Sequence, residues 1–401
     1  MDLFLQMGHG MKAHCLELFE KWSGGTAILS PKNMDLAQLI ATSEEIHKSN
    51  GQVMFDPQFY IPRTSQENLQ DHSFWPEKFS TSKFFNGSGI DTMIDVIIND
   101  YINPMNADAF IIPTLFLSEI NADWDTINSI IIKSLSRYDL EIPKYLTLCI
   151  SENILKSENK IHSLLEQIEE YPIDGFYVIP QHPKDDYLID NVTWLTNLMD
   201  LSAGMKILGY KVIVGYSSHQ LLLLSLAKVD AMASGIWLKT RMFPLGDFDD
   251  SDDSNGGRRS TWYYCPQALS EYQIPFLDAA HKGGFLDELR APDIFDSGYA
   301  NILFKGAEPS TVRFSEREAF RHYLHCLKVQ CNDVSKSTYI ETKEYLKLIF
   351  ETALDLTTFF RENGVRGKHR DFSNVGDSNI AAVDTFENIR GLIYKNSWNS
   401  I

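Results

Sequence analysis

A single carboxylate stands at the end of a short apolar run in the stretch GQVMFDPQFYIPR, residues 51–63. This residue, Asp56, is flanked by the aromatic residues Phe55, Phe59 and Tyr60. A carboxylate in such a partly apolar pocket has a pKa raised toward the range that suits general acid/base catalysis. The stretch therefore predicts that Asp56 binds or reacts with a ligand. The alternative is an Asp that only caps the loop, where the following proline fixes the turn.

Polar residues end or follow every apolar run in the first part of the chain. The runs occupy residues 3–9, 26–31, 52–57, 109–114, 145–151, 175–181, 212–218 and 231–237. The polar residues at their ends are His9, Ser30, Lys32, Asp56, Gln58, Tyr60, Thr114, Ser151, Glu152, Gln181, His182, Ser217, Ser218, His219, Lys239 and Arg241. A scaffold alone does not need a polar residue at every strand end, so the pattern predicts a ligand pocket where these ends meet. The alternative is that the strand ends are polar because they meet solvent.

The elements that must bring these residues together are eight strands and the helices between them. The runs are continuously apolar, which is typical of parallel strands that are buried on both faces. Helical patterns lie between them, for example at 12–22, 159–171 and 218–229. Eight strand–helix alternations in about 240 residues predict a (β/α)8 TIM barrel, whose active sites lie at the carboxyl-terminal ends of the strands. A doubly wound open sheet is the second possibility, but its dinucleotide fingerprint is absent.

Three segments follow from this pattern. Residues 1–241 form the predicted barrel. Residues 242–312 form an irregular insertion that begins with the acidic loop GDFDDSDDSNGGRRS at 246–260. Residues 313–401 form a mostly helical extension that packs on the barrel.

The extension is predicted to contain a long helix from Thr338 to Asn363, ended by Gly364. Apolar residues recur along it at helical spacing, so one face of this helix is expected to pack on the barrel or on a partner. These apolar residues are Tyr345, Ile349, Leu356 and Phe360.

The composition indicates an acidic globular protein. The chain has 401 residues, of which 44% are hydrophobic, and a formal net charge of −18. An acidic surface repels phosphate backbones, so a nucleic-acid acceptor is possible but disfavoured unless a local basic site overcomes that field. Two clusters could supply one, although each could equally pair with acidic residues of the same chain. The predicted nucleic-acid contacts are Arg258, Arg259, Arg366, Lys368 and Arg370.

The remaining sequence features argue against a membrane, a disulfide framework and a metal. No apolar run approaches the roughly 20 residues that span a bilayer, and the amino terminus lacks a signal peptide, so a cytoplasmic protein is expected. Five scattered cysteines fit free thiols. His322, His325 and Cys326 have helical spacing but lack a second coordinating segment, so we predict no metal there and no cofactor.

The segment KVIVGYSSHQLLLLSLAKVDAMASGIWLKTR, residues 211–241, resembles the last two barrel strands of the queuine/archaeosine tRNA-guanine transglycosylase family. Gly215 falls on that family's Gly-rich turn, Asp230 on its Val-Asp pair and Arg241 on its Thr-Arg pair. The family carries an Asp at the end of its third strand that handles the proton of the exchanged base. Asp56 also ends the third predicted strand.

The amino-terminal stretch, with LQMGHGMKAHC and FDPQFYIPR, is similar to the divergent members in bacterial genomic islands that place 7-deazaguanines into DNA. The resemblance covers residues 1–241. It implies a (β/α)8 enzyme that binds a guanine or 7-deazaguanine base at the strand ends, with Asp56 as general acid/base. The residues expected to bind the substrate are Ser30, Gln58, Phe59, Tyr60, Gln181, His182, Gly215, Ser217, Ser218, His219, Lys239 and Arg241.

The sequence departs from the family at two places. The position that aligns with the covalent nucleophile is Ala233, whose methyl group cannot attack a sugar. Either Asp230 or another carboxylate replaces the nucleophile, or the double-displacement route is lost and Asp230 is structural. The family's zinc site has only Cys265 here, with His281 well downstream, and we predict no zinc.

These departures leave two other functions open. One is a catalytically silent barrel that acts as a binding or assembly subunit, like the noncatalytic partner in eukaryotic transglycosylase dimers, so a protein partner or homodimer is possible. The other is an unrelated barrel hydrolase, which a co-purifying metal would favour.

Overall fold

Eight parallel strands form a closed barrel in the computed structural model, which describes residues 1–63, 66–76, 87–248 and 260–401. Each strand pairs with the next in sequence, and the last pairs with the first, where Leu5 lies opposite Ser234. The predicted (β/α)8 fold is confirmed. The strands are β1 Asp2–Gln6, β2 Gly25–Leu29, β3 Gly51–Phe55, β4 Ala109–Ile112, β5 Lys144–Ile150, β6 Gly175–Pro180, β7 Lys211–Val214 and β8 Ala231–Ser234.

The helices alternate with the strands and then continue beyond the barrel. Within the barrel they are α1 Lys12–Trp22, α2 Leu36–Lys48, α3 Ser88–Val96 with a π-helical continuation Ile97–Ile102, α4 Asn103–Met105, α5 Ala122–Leu135, α6 Glu152–Leu155, α7 Glu158–Ile168 and α8 Val192–Ile207. After the barrel they are α9 Ile274–Lys282, α10 Glu316–Val334, α11 Tyr339–Glu362 and α12 Gly376–Ser397.

The connection between β7 and β8 differs from the predicted helix. It is a 3₁₀ helix, His219–Ala227, and every residue of it is buried. Ser218 caps it by accepting a hydrogen bond from Gln220 N at 3.3 Å. The segment carries apolar side chains all round and lies against α8, α10 and α11, so it has no solvent face that would give it an amphipathic pattern.

The helical extension packs on the barrel. Thr338 is the N-cap of helix α11 and forms a capping box with Glu341, and the chain turns after the helix at Gly364, whose φ is +83°. Helix α11 packs on α12, and α12 packs on α8 of the barrel. The side chain of Phe350 in α11 is fully buried in the same hydrophobic core as the barrel strands.

The insertion is more regular than the sequence indicated. Its described part contains an antiparallel hairpin, β9 Trp262–Cys265 and β10 Ser270–Gln273, followed by α9. Tyr263, Tyr272 and Phe360 belong to a second hydrophobic cluster between this region and α11. Residues 249–259, which hold most of the acidic loop together with Arg258 and Arg259, lie outside the described residues. No helix in the described part of the chain is long and apolar enough to cross a membrane.

Candidate functional site

A cleft of about 270 Å³ opens at the carboxyl-terminal end of the barrel. We call it the rim cleft. Segments that follow β1, β2, β3, β7 and β8 line it, which is the location expected for a TIM-barrel site. The lining residues are Met7, Gly8, His9, Lys32, Asn33, Gln58, Tyr216, Trp237, Lys239, Thr240, Pro244 and Phe248.

Gln58 is the fixed polar group of the rim cleft. Its backbone has a φ of +54°, and its side chain is 4% exposed. Its Oε1 accepts hydrogen bonds from Ser30 Oγ at 2.7 Å and from Lys32 N at 3.2 Å, and its Nε2 donates to Tyr216 Oη at 3.1 Å. An amide nitrogen has two N–H groups, and the bond to Tyr216 uses one of those of Gln58, which leaves the second as a donor for a ligand.

Asp56 is buried directly beside this amide. Its Oδ1 accepts a hydrogen bond from Gln58 N at 3.0 Å, and its Oδ2 accepts a short one from the Tyr60 hydroxyl. Burial raises the pKa of Asp56 to about 7, although both hydrogen bonds act in the opposite direction. Asp56 does not itself line the cleft, but its carboxyl group exists in both protonation states near neutral pH.

Two tyrosines connect Asp56 to the rim cleft. Tyr60 donates to Asp56, and Tyr216, which lines the cleft, accepts a hydrogen bond from Gln58 Nε2 at 3.1 Å. The rings of Tyr60 and Tyr216 both pack edge-on against Phe243, with 5.4 Å between the ring centroids in each pair. Burial raises the pKa of both phenols, and the nearby Asp56 carboxylate raises it further, so both hydroxyls keep their protons at neutral pH. The two phenols therefore lie between the cleft and a titratable carboxylate.

A further buried polar pair lies within the barrel. Tyr177 of β6 donates a hydrogen bond to Gln6 Oε1 of β1 at 2.7 Å. Burial is the main cause that raises the pKa of Tyr177, and the Asp56 carboxylate raises it further. Gly215 fits against this tyrosine, since an added Cβ would lie 2.6 Å from its hydroxyl oxygen. Sequence reasoning missed Gln6, Tyr177 and Tyr216. The signal available in the sequence was that each of these residues carries a polar atom inside an otherwise apolar run.

Three basic side chains, His9, Lys32 and Lys239, line the rim cleft. His9 and Lys239 are exposed, and the Lys32 ammonium lies 4.5 Å from the ring centroid of Phe248. Trp237 Nε1 donates to His9 O at 2.8 Å and so ties the β8 loop to the β1 loop. No Asp or Glu of the described residues lines this cleft.

The structure places Arg241 in the scaffold rather than in the rim cleft. It is 2% exposed, and its NH1 donates to both carboxylate oxygens of Glu271 at 3.2 Å. Its Nε donates to Gly235 O at 2.9 Å, which anchors the β8 loop. Burial opposes ionisation of Glu271, but Arg370 and Arg241 outweigh it and lower the pKa of Glu271 to about 2.

The two predicted histidines do not join Asp56 at one opening. His182 is buried, contacts Asp186 O through Nδ1 at 2.9 Å and packs edge-on against Trp194. His219 is buried against Tyr264 and other tyrosines beneath the extension. Burial lowers the pKa of both imidazoles to about 4, so both are neutral at pH 7. Neither lines the rim cleft.

Asp230 lies at the opposite end of the barrel from Asp56, which corrects the expectation that it could replace the nucleophile. It immediately precedes β8, whereas Asp56 immediately follows β3. Its Oδ2 accepts hydrogen bonds from Lys206 Nζ at 2.8 Å and Val212 N at 2.7 Å. A strand of four residues spans about 13 Å, so Asp230 holds the amino-terminal end of the barrel together.

Four other predicted substrate-binding residues have structural partners. Phe59 packs edge-on against Trp75, with 5.1 Å between the ring centroids. Gln181 Oε1 accepts from Glu152 N at 3.1 Å, and Ser217 Oγ donates to Val214 O at 2.9 Å. Ser218 caps the 3₁₀ helix described above. Of the predicted substrate-binding residues, Gln58 and Lys239 line the cleft. Ser30 and Tyr60 do not line it, but each contacts a residue that does.

The predicted basic cluster is divided between the surface and the interior. Arg370 donates to Glu271 Oε2 at 2.8 Å and lies over the Trp262 ring. It therefore pairs with an acidic residue of the same chain, which was the alternative to a nucleic-acid contact. Lys368 Nζ donates to Gln273 Oε1 at 2.8 Å, and Arg366 is exposed.

The helical histidines contact the surrounding fold instead of sharing a centre. Nδ1 of His322 lies 2.8 Å from Ser297 Oγ, and its Nε2 lies 2.8 Å from Tyr264 O. His325 Nδ1 accepts from Trp22 Nε1 at 3.1 Å. Among the described residues, no group of three His, Cys, Asp or Glu side chains is placed so that it could hold a metal ion.

Comparison with known proteins adds little beyond the barrel. No family model and no curated protein matches the chain. Among solved structures, a thiamine phosphate pyrophosphorylase from Pyrococcus furiosus is 10% identical, with a TM-score of 0.29, over 58% of this chain and 84% of that one. The native xylanase 10C from Cellvibrio japonicus is 11% identical, with a TM-score of 0.36, over 81% of this chain and 70% of that one. These scores carry no functional argument. The chain is a (β/α)8 barrel with a cleft at the rim where such barrels place their sites.

Proposed function

We propose that this chain binds a guanine or 7-deazaguanine base in the rim cleft and exchanges or transfers it, with Asp56 as general acid/base. The observation that carries the proposal is the buried Asp56 carboxyl group directly behind the cleft, which accepts hydrogen bonds from Tyr60 and from the backbone N of the cleft residue Gln58. A titratable carboxylate with a pKa near 7 is matched to proton transfer at neutral pH.

The shape and lining of the rim cleft support a compact flat ligand. A volume of about 270 Å³ is at the small end of ligand pockets. Tyr216, Trp237 and Phe248 supply aromatic surface against which a heterocycle can stack. The second amide N–H of Gln58 is a donor for a carbonyl or ring nitrogen of the base.

The proton moves by relay in this proposal. A proton from the bound base goes to the Tyr216 oxygen while Tyr216 gives its own proton to Tyr60, and Tyr60 gives its proton to the Asp56 carboxylate. The reverse sequence returns a proton to the incoming base. Each hydroxyl ends the cycle with one proton, and no metal or cofactor takes part.

The test is base binding and base exchange by wild-type protein and Asp56→Asn. Guanine and 7-deazaguanine are expected to raise the melting temperature of both proteins, because a ligand that binds only the native state stabilises it. Incorporation of labelled guanine into bulk tRNA or DNA is expected to fall by about 100-fold or more in the variant, the usual contribution of general acid/base catalysis. Asp139→Asn, a change at an exposed acid, is the matched control and is expected to leave both unchanged. Failure of both bases to shift the melting temperature would refute base binding.

A catalytically silent binding or assembly subunit is the second candidate. It is favoured by Ala233 at the position aligned with the nucleophile, by Asp230 at the far end of the barrel, and by the lack of a described carboxylate in the cleft lining. The exposed apolar side chains of Leu392 and Ile393 on α12 are available to an assembly partner. Base binding without any exchange, together with self-association by analytical ultracentrifugation, would support this candidate.

A further inference from the structure

Gln6, the last residue of β1, carries a buried amide with one end paired and the other end unpaired. Its side chain is 1% exposed. Its Oε1 accepts the hydrogen bond from Tyr177 Oη at 2.7 Å, whereas its Nε2 has no hydrogen-bond partner in the described part of the chain. In the barrel β1 lies between β2 and β8, while Tyr177 belongs to β6, so this bond crosses the barrel interior. The amide therefore points into the barrel.

A second buried glutamine shows how the same pairing is completed elsewhere in the fold. Gln330 in α10 accepts a hydrogen bond from Tyr264 Oη at 2.9 Å, and its Nε2 donates to Pro266 O at 3.0 Å. Both ends of that amide are satisfied. A buried donor that is left unpaired costs free energy of folding, and such exceptions in native proteins occur at functional sites. The unpaired nitrogen of Gln6 is therefore a candidate ligand contact.

The amide of Gln6 lies at the rim-cleft end of the barrel interior. The next two residues of the chain line the cleft. The backbone of Gly215, which precedes the cleft residue Tyr216, lies against the Tyr177 hydroxyl, since an added Cβ would be 2.6 Å from that oxygen. Burial raises the pKa of Tyr177, and Asp56 and Tyr216 raise it further, as expected for a phenol close to both. Gln6 and Tyr177 therefore belong to the same buried group as Asp56.

Backbone strain marks the same end of the barrel. Gln58 and Tyr216 both line the cleft and are hydrogen-bonded to each other, and their φ angles are +54° and +51°. Residues with large side chains adopt this conformation at an energetic cost, and such residues cluster at sites that bind ligands. The structure thus holds the Gln58 amide rigidly beside the cleft, above the interior that contains the Gln6 amide.

We propose that Gln6 selects a 6-oxopurine by donating a hydrogen bond from Nε2 to the 6-oxygen of the base in the rim cleft. The bond from Tyr177 occupies the amide oxygen, so the nitrogen is the end that a ligand meets. Guanine presents an acceptor at this position and adenine presents a donor. An amide nitrogen only donates, so it favours the oxo group and opposes the amino group. The inference rests on the proposed function for the presence of a base and adds the residue that chooses it.

The test compares guanine with 2-aminopurine, which has the same rings and 2-amino group but no 6-oxygen, by equilibrium dialysis of the full chain with each labelled base. Wild type is expected to bind guanine at least about tenfold more tightly, because a buried donor stays unpaired with 2-aminopurine. Gln6→Leu is expected to remove most of this preference. Gln330→Leu, a change at the other tyrosine-paired buried glutamine, which lies outside the cleft lining, is the matched control and should keep it.

A double variant separates recognition from folding. Gln6→Leu leaves the Tyr177 hydroxyl without its acceptor, which is destabilising by itself. Gln6→Leu combined with Tyr177→Phe removes both partners, and replacing both by apolar groups of similar shape is nearly neutral for stability. The double variant is expected to unfold in urea at close to the wild-type midpoint and still to lack the preference for guanine.

The outcomes separate this inference from the proposed function. If wild type binds guanine and 2-aminopurine equally, or if both Gln6 variants keep the preference, Gln6 does not select the base, and base binding stands. If Gln330→Leu loses the preference as well, the loss is a general effect of destabilisation, and the role of Gln6 is refuted. If neither base binds to wild type, the proposed function fails and this inference fails with it.

Discussion

The buried carboxyl group of Asp56 makes a quantitative prediction about the pH dependence of folding. Its pKa is raised from 3.8 to about 7 in the folded protein, while in the unfolded chain it stays near 3.8. Below pH 3.8 the group is protonated in both states and does not oppose folding. As the pH rises from 3.8 through 7, the Asp56 carboxyl ionises in the unfolded chain before it ionises in the folded protein, so its contribution to the free energy of unfolding falls. Above pH 7 the carboxyl is ionised in both states, and its contribution no longer changes with pH.

The size of the effect follows from that difference in pKa. One pKa unit corresponds to about 1.4 kcal/mol, so ionisation of Asp56 lowers the free energy of unfolding by roughly 2 kcal/mol at pH 5 and by roughly 4 kcal/mol at pH 8. Asp56→Asn keeps the shape and removes the titration. Relative to wild type, the variant is therefore expected to gain about 2 to 3 kcal/mol of stability between these two pH values.

Urea denaturation of the wild type, Asp56→Asn and Asp139→Asn at pH 5 and pH 8 measures this difference. The comparison across pH cancels the loss of the hydrogen bond from Tyr60, because that loss enters at both pH values. The Asp139→Asn control is expected to follow the wild-type pH profile. Parallel profiles for wild type and Asp56→Asn would mean that Asp56 ionises as an ordinary carboxyl group, and the acid/base role would lose its physical basis.

Three further perturbations test other parts of the site. Tyr216→Phe removes the cleft end of the proton relay, so base exchange is expected to fall by about 100-fold in kcat with little change in affinity; equal losses in a binding assay would contradict the relay. Glu271→Gln leaves the buried Arg241 without a balancing charge. The substitution is expected to lower the free energy of unfolding, measured in urea, by about 3 to 5 kcal/mol. A decrease below about 1 kcal/mol would show that the pair is not buried as described. Gly215→Ala places a Cβ 2.6 Å from the Tyr177 hydroxyl oxygen and 2.7 Å from two of its ring carbons, and is expected to cost about 1 to 3 kcal/mol. An unchanged denaturation midpoint would contradict that contact.

Local patterns in the sequence were sufficient for the barrel and the long helix. Each strand is a short apolar run buried on both faces, so its position follows from its own residues, and eight such runs with helices between them leave few other arrangements. The bounds of α11 follow from Thr338 at its start and Gly364 after its end, because capping is also a local interaction. The likeness to transglycosylases stays an expectation.

The division of the strand-end residues between cleft and scaffold could not be predicted in this way. All of them are polar and follow strands, yet Gln58 meets Tyr216 158 residues away, and Arg241 meets Glu271 in a hairpin beyond the barrel. Asp230 belongs to the other end of the cylinder because it precedes a strand. The sequence determines which residues a strand end offers, but their roles depend on partners that only the closed barrel and its extension bring within hydrogen-bonding distance.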